Sequence, residues 1–256
     1  MRPVLFCIKG IPIYSYGTTL ALAFIVGFFF TLKEGKRYKL SIDAVLDLTI
    51  VVSIGALIGA RIGYLFLEIG TRNISLWTFF NTREGGLSFH GGLIGGFLGG
   101  ILFCRLYKRS LWEIADLVTP CIPLGYSIVR IGCLLNGCCY GYPSKAPWAF
   151  ACSSVDNLHR HPTQLYSFVL SFLLFLIIWK VRNSRPFDGY LFLLYIGLYS
   201  ITRFFVEFFR ESQLLFGWMK VAQFASVILS MISFGYIGLR LYKLKREQSE
   251  KGDVGF

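Results

Sequence analysis

Long apolar blocks with few charges alternate along this chain with short polar connections. Seven of them reach the roughly 20 residues that a helix needs to cross a hydrocarbon core of about 30 Å. They cover 14–32, 44–67, 87–104, 114–135, 162–179, 190–209 and 221–239. The first begins too late, and lacks the basic n-region and nearby small-residue cleavage site, to be a cleaved export signal, so it reads as a mature span. The pattern predicts an all-α, polytopic membrane protein with seven transmembrane helices in a single integral membrane domain.

Composition agrees: 55% of the 256 residues are hydrophobic and 16% charged, against about 45–50% and about 25% in soluble domains. Collagen, a disordered tail and a disulfide-stapled scaffold are excluded, the last because seven cysteines are too sparse over this length. The 26 Lys and Arg exceed the 14 Asp and Glu, and their placement accounts for the excess without nucleic acid. The first, third and fifth connections and the carboxyl tail carry fifteen of them, whereas the amino end and the second, fourth and sixth connections carry eight. Cytoplasmic loops hold the Lys and Arg excess, so the amino end is expected outside and the carboxyl end in the cytoplasm.

Spans two and three carry glycines every fourth residue, Gly55, Gly59 and Gly63 on one and Gly91, Gly95 and Gly99 on the other, beside a second row of Gly92, Gly96 and Gly100. Such spacing lets helix backbones approach closely in lipid. Charged groups are costly there, about 2.5 to 3.5 kcal/mol each on insertion scales, so they face a cavity or a partner. Under the topology above, Arg61, Arg130, Arg203 and Glu207 lie near the outward ends of their spans, and Tyr16, His90 and Gln223 near outward starts. The convergence predicts one polar cavity at the outer leaflet. Arg203 and Glu207, four apart, share a helical face and can pair. Arg61, beside Tyr64, either snorkels to the interface or binds a ligand. Arg130 lies in a run softened by Pro120, Pro123, Gly125 and Gly132.

His90 has no carboxylate or second histidine at metal-ligand spacing. Either it is a hydrogen-bonded structural residue or, with flanking glycines giving room for a substrate, it moves a proton. Cys133, Cys138 and Cys139, with Cys152 beyond, form a C-x4-C-C cluster that is weak as a zinc signature; an outward-facing disulfide or buried free thiols fit better. His159 and His161 flank Arg160 and need further ligands to hold a metal.

Four stretches carry a family resemblance: GGLSFHGGLIGG (85–96), RIGCLLNGCCYG (130–141), RHPTQLY (160–166) and RFFVEFFRES (203–212). Together with Tyr16, Gly17 and GARIGYLF (59–66), in this order and spacing, they resemble the prolipoprotein diacylglyceryl transferases. The chain departs from that pattern at Cys133 and Cys138, where asparagine and glutamate are usual, and at Ser167 and Ser212, where glutamate and proline are usual. Asn136 and Gly141 are kept.

The resemblance implies transfer of the diacylglyceryl group of phosphatidylglycerol to the lipobox cysteine of preprolipoprotein signal peptides, forming a thioether and releasing glycerol phosphate. It places the chain as a multi-pass protein of the bacterial cytoplasmic (inner) membrane, with no metal or organic cofactor and no nucleic-acid partner. On this reading Arg130 holds the donor phosphate, Arg203 oriented by Glu207 neutralises the leaving phosphate, and His90 takes the thiol proton. Tyr16, Asn136, Gly141, Arg61 and Gln223 complete the substrate contacts. A thiol titrating near 8.5 facing an imidazole near 6.5 leaves the proton transfer uphill by about 2.7 kcal/mol, so the base needs nearby positive charge. The competing classes are a paralogue with another acceptor, a lipid or anion transporter, and a redox or metal protein built on the cysteines. Transport should need polar groups in both leaflets, and the inner half offers only Asp43, Asp47, Glu113 and Asp116 at helix starts.

Overall fold

The computed structural model describes residues 2–8, 10–68, 86–151, 158–211, 214 and 219–253. Lys9, Arg72, Arg83, Gly85, Cys152 and Ser212, which enter the charge counts and motifs above, lie outside the described residues. Eight α-helices are described: α1 Ser15–Gly35, α2 Ile42–Glu68, α3 Phe89–Leu106, α4 Leu111–Val118, α5 Cys121–Asn136, α6 Thr163–Val181, α7 Tyr190–Glu207 and α8 Val221–Asp253. Six are long and apolar enough to cross a membrane, and α4 with α5 supplies a seventh crossing if the pair counts as one span. This is a multi-pass membrane protein, and its apolar side chains face outward in numbers no soluble protein tolerates: Phe66, Phe89, Met231 and Leu67 are each at least 70% exposed.

Three features differ from the sequence reading. The fourth span is broken at Thr119 and Pro120, because a proline inside a helix removes an N–H and crowds the carbonyl four residues back. The last helix runs on to Asp253, well past 239, its charged extension supported by the Arg246–Glu250 pair at 2.8 Å. Two small antiparallel hairpins accompany the helices: β1 Val4–Ile8 with β2 Ile11–Tyr14, and β3 Phe150–Ala151 with β4 His159–Arg160.

The chain divides into two compact units, Thr31–Leu117 and the remainder. In the first, α2 and α3 meet along the glycine rows. A Cβ on Gly95 would lie 2.1 Å from the Gly55 carbonyl oxygen, and one on Gly59 2.7 Å from the Gly95 Cα. The backbones thus touch where side chains would stand. The second row is looser, with Gly100 open. Asp47 and Glu113 are engaged locally, accepting hydrogen bonds from Tyr107 and Arg109.

In the other unit α1 crosses α5 at Gly132, where a Cβ would meet Thr19 Oγ1 at 1.9 Å. Helices α6 and α7 share a core of Leu174, Ile178 and Tyr195. Helix α8 meets α7 at Gly197, against the ring of Phe234.

Candidate active site

Arg130 sits one turn and a half before the end of α5, on the same face as Tyr126, four residues earlier. Its Nη2 donates to the Tyr126 hydroxyl at 2.5 Å and its guanidinium carbon lies 4.4 Å from that ring's centroid. Nη1 points at Cys133 Sγ, 3.9 Å away. The Nε of Arg130 is buried with no hydrogen-bond partner, and a buried unpaired donor of this kind costs free energy until a ligand or water meets it.

Helix α7 repeats the spacing. Tyr199 stands four residues before Arg203, which pairs with Glu207 at 2.8 Å, and that carboxylate belongs to a residue 1% exposed. Tyr126 and Tyr199 meet edge to face. Tyr199 is hydrogen-bonded to Tyr126 and within electrostatic reach of both Arg203 and Arg130. Tyr126, Tyr199, Thr202, Arg203, Ser167 and Ser171 line a pocket with room for about one water. Ser167 donates to the Thr163 carbonyl at 2.7 Å, so the position where glutamate is usual carries no charge toward Arg203.

Tyr16, in the first turn of α1, is 40% exposed and lies within electrostatic reach of Arg130 and of Cys133, Cys138 and Cys139. Asn136 ends α5 and hydrogen-bonds Cys138. Gly141 closes the loop that follows. Its N–H donates to the His161 carbonyl, its own carbonyl accepts from Arg160 Nη1 at 3.1 Å, and a Cβ would sit 2.3 Å from the Phe209 carbonyl oxygen. Gln223 is 3% exposed and its Oε1 accepts from the Lys220 N–H at 3.1 Å, capping α8. Lys220, 6% exposed, donates to the carbonyls of Glu207 and Arg210 over the Tyr142 ring, neutralising the carboxyl end of α7.

A second feature of this unit is an apolar groove of about 450 Å³ between α6 and α7, lined by Leu165, Val169, Leu170, Phe205, Val206 and Phe209. At its polar end Trp148 Nε1 donates to the Tyr166 hydroxyl at 2.7 Å, which stands 3.1 Å from His161 Nδ1.

His90 and Arg61 belong to the other unit. Ser88 caps α3, accepting from the Gly91 N–H at 3.3 Å, and its own N–H donates to the Ala60 carbonyl at 2.9 Å. His90 therefore projects from a fixed first turn, and it is exposed. Arg61 is 4% exposed, against the Tyr64 ring, and donates to the Gly86 carbonyl at 2.8 Å. It is buried rather than snorkelling, and it holds the turn that delivers α3.

The sequence reading did not single out Tyr126, Tyr199, Gln164 or Lys220. The two tyrosines could have been found from their spacing, each four residues before an intramembrane arginine. Gln164, 1% exposed, donates to the Cys138 carbonyl at 2.6 Å, a long-range contact with no sequence signal.

Residues 3–239 match the family model for prolipoprotein diacylglyceryl transferase. A phosphatidylglycerol–prolipoprotein diacylglyceryl transferase of Legionella pneumophila (strain Paris) is 34% identical over 96% of this chain and 98% of its own length. Enzymes of the same name from Clostridioides difficile (strain 630) and Campylobacter hominis are 36% and 35% identical, covering 89% and 97% of this chain and 91% and 93% of theirs. With the motifs in order and the match running almost end to end, the chain belongs to the prolipoprotein diacylglyceryl transferase family.

Proposed function

We propose that this membrane enzyme transfers the diacylglyceryl group of phosphatidylglycerol to the lipobox cysteine of a preprolipoprotein, acting at the outer leaflet of the bacterial cytoplasmic membrane. The observation that carries this reading is the pair of arginines, Arg130 and Arg203, assembled around Tyr126 and Tyr199, with the Arg130 Nε buried and unpartnered. Guanidinium forks match phosphate oxygens, and a phosphatidylglycerol headgroup offers one such anion at this depth. The apolar groove flanked by Leu165, Val169 and Phe205 suits a hydrocarbon chain.

In the reaction the acceptor sulfur forms a bond to the terminal glyceryl carbon of the lipid while the bond from that carbon to the phosphate oxygen breaks. The thiol proton goes to His90, and the negative charge grows on the departing glycerol phosphate. Arg130 holds that phosphate and Arg203 stabilises its charge as it leaves, while Glu207 fixes the Arg203 fork. Tyr16 and Asn136 border the headgroup, Gly141 and Gln223 fix the loops beside it, and Arg61 sets the turn before His90.

The direct test is expression in cells lacking their own transferase. Restored lipoprotein maturation, together with thioether formation on a lipobox peptide in phosphatidylglycerol liposomes, is the expected outcome. Failure of the purified, folded protein to lipidate the peptide would overturn the reading.

A further inference from the structure

Helix α5 ends in a left-handed turn at Gly137, φ 76°. The Cys138 N–H returns to the Cys133 carbonyl at 3.1 Å and the Gly137 N–H to the Leu134 carbonyl at 3.3 Å, the reciprocal pair of a Schellman motif. This reversal folds the chain back on itself, so that residues five and six positions on lie against Cys133. Cys139 follows with φ 61°, a left-handed conformation that non-glycine residues rarely adopt. Two side chains of α6 hold the turn from outside, Thr163 Oγ1 on the Cys139 carbonyl and Gln164 Nε2 on the Cys138 carbonyl, both at 2.6 Å. The three sulfurs end within 4.8 Å of one another.

We propose that Cys133, Cys138 and Cys139 form a three-thiolate binding site for zinc. Zinc bonds thiolate sulfur at about 2.3 Å in tetrahedral geometry, which sets the sulfurs about 3.8 Å apart. From the present spacing each sulfur has to move inward by only about 0.6 Å. Charge agrees. Three thiolates and one divalent cation leave a single negative charge, and a buried site of that sign needs a cationic neighbour. Arg130 Nη1 already faces Cys133 Sγ at 3.9 Å, and Arg210 adds to the field at Cys139. Cys133 is buried, whereas Cys138 and Cys139 are half-buried, which leaves the fourth position open to an exchangeable ligand.

The test reads metal directly and needs no transferase activity. Protein purified under reducing conditions is titrated with zinc against a chromophoric chelator, and with cobalt(II) as the spectroscopic probe. One equivalent of zinc is expected, with thiolate-to-cobalt charge-transfer absorption. Cys138→Ser and Cys139→Ser should each weaken binding at least tenfold. The double variant Cys133→Asn, Cys138→Glu, which restores the residues usual in the family, should abolish the cobalt spectrum while eluting as a folded protein. Cys104→Ser should change nothing. Zinc affinity indifferent to Cys139→Ser, or thiols trapped in whole cells revealing a disulfide among these cysteines, would overturn the proposal.

Discussion

Tyr126 and Tyr199 meet edge to face with ring centroids 5.7 Å apart and planes at 88°. Each precedes an arginine by one helical turn, so two tyrosine–arginine pairs from α5 and α7 join at their aromatic members. Tyr199 lies within electrostatic reach of both arginines, and the hydroxyl of Tyr126 takes one of the Arg130 hydrogen bonds.

Replacing Tyr126 with phenylalanine keeps the ring contact and deletes that hydrogen bond. Bonds to charged groups are worth about 1.5–3 kcal/mol, so kcat/KM in phosphatidylglycerol liposomes should fall by roughly tenfold to a hundredfold. The melting temperature in detergent should move far less than in Tyr126→Ala, which also loses the aromatic contact.

Arg130→Lys keeps the charge and loses the fork. Removing an oriented donor from a developing anion costs about 2.7–4 kcal/mol in well-studied sites, so turnover should drop on the order of a hundredfold or more. A lysine enzyme with full activity would remove phosphate gripping from Arg130.

Glu207→Gln leaves the Arg203 guanidinium without its carboxylate in a largely buried setting. Breaking such a pair from one side costs about 3–5 kcal/mol when both partners are fully buried, and the partial exposure of Arg203 moves the expectation toward the lower end. Chemical denaturation of the detergent-solubilised protein should register it, together with a loss of turnover.

His90→Gln removes the proposed proton acceptor. General bases contribute about 10²–10⁴-fold, so the loss at neutral pH should be of that order. It should shrink as pH rises toward the ordinary thiol pKa of about 8.5, because free thiolate then replaces the one the base would make. A pH–rate profile parallel to the parent enzyme's would leave His90 a structural residue.

Gly95→Ala places a methyl 2.1 Å from the Gly55 carbonyl, whereas Gly100→Ala meets nothing within 4 Å. Overfilling a close contact costs about 1–3 kcal/mol. The first should lower the thermal midpoint of the purified protein and the second should leave it unchanged.

The spans and the glycine contact between α2 and α3 were legible because lipid imposes a length on each helix and close approach imposes glycine at every fourth position. The ion pair Arg203–Glu207 was legible for the same reason, since four-residue spacing fixes a shared face. The break at Pro120 was visible as a softened run, yet its position depended on which carbonyl the proline ring crowds. The role of Arg61 was not legible. Tyr64 beside it favours the interface, and only the turn at Gly86, folded over it, supplies the carbonyl that keeps it buried.

Sequence by itself therefore determined the membrane class, the apolar helices and the family, because these follow from hydropathy, local periodicity and motif order. Tertiary structure alone decided that Tyr126 meets Tyr199, each one helical turn before an arginine, and that three cysteines in an unpromising C-x4-C-C spacing converge on one point. Both depend on contacts made after the chain has turned back on itself. The energy of those contacts comes from partners far along the chain, Tyr199 for Tyr126 and Thr163 and Gln164 for the cysteine turn, which no local pattern encodes.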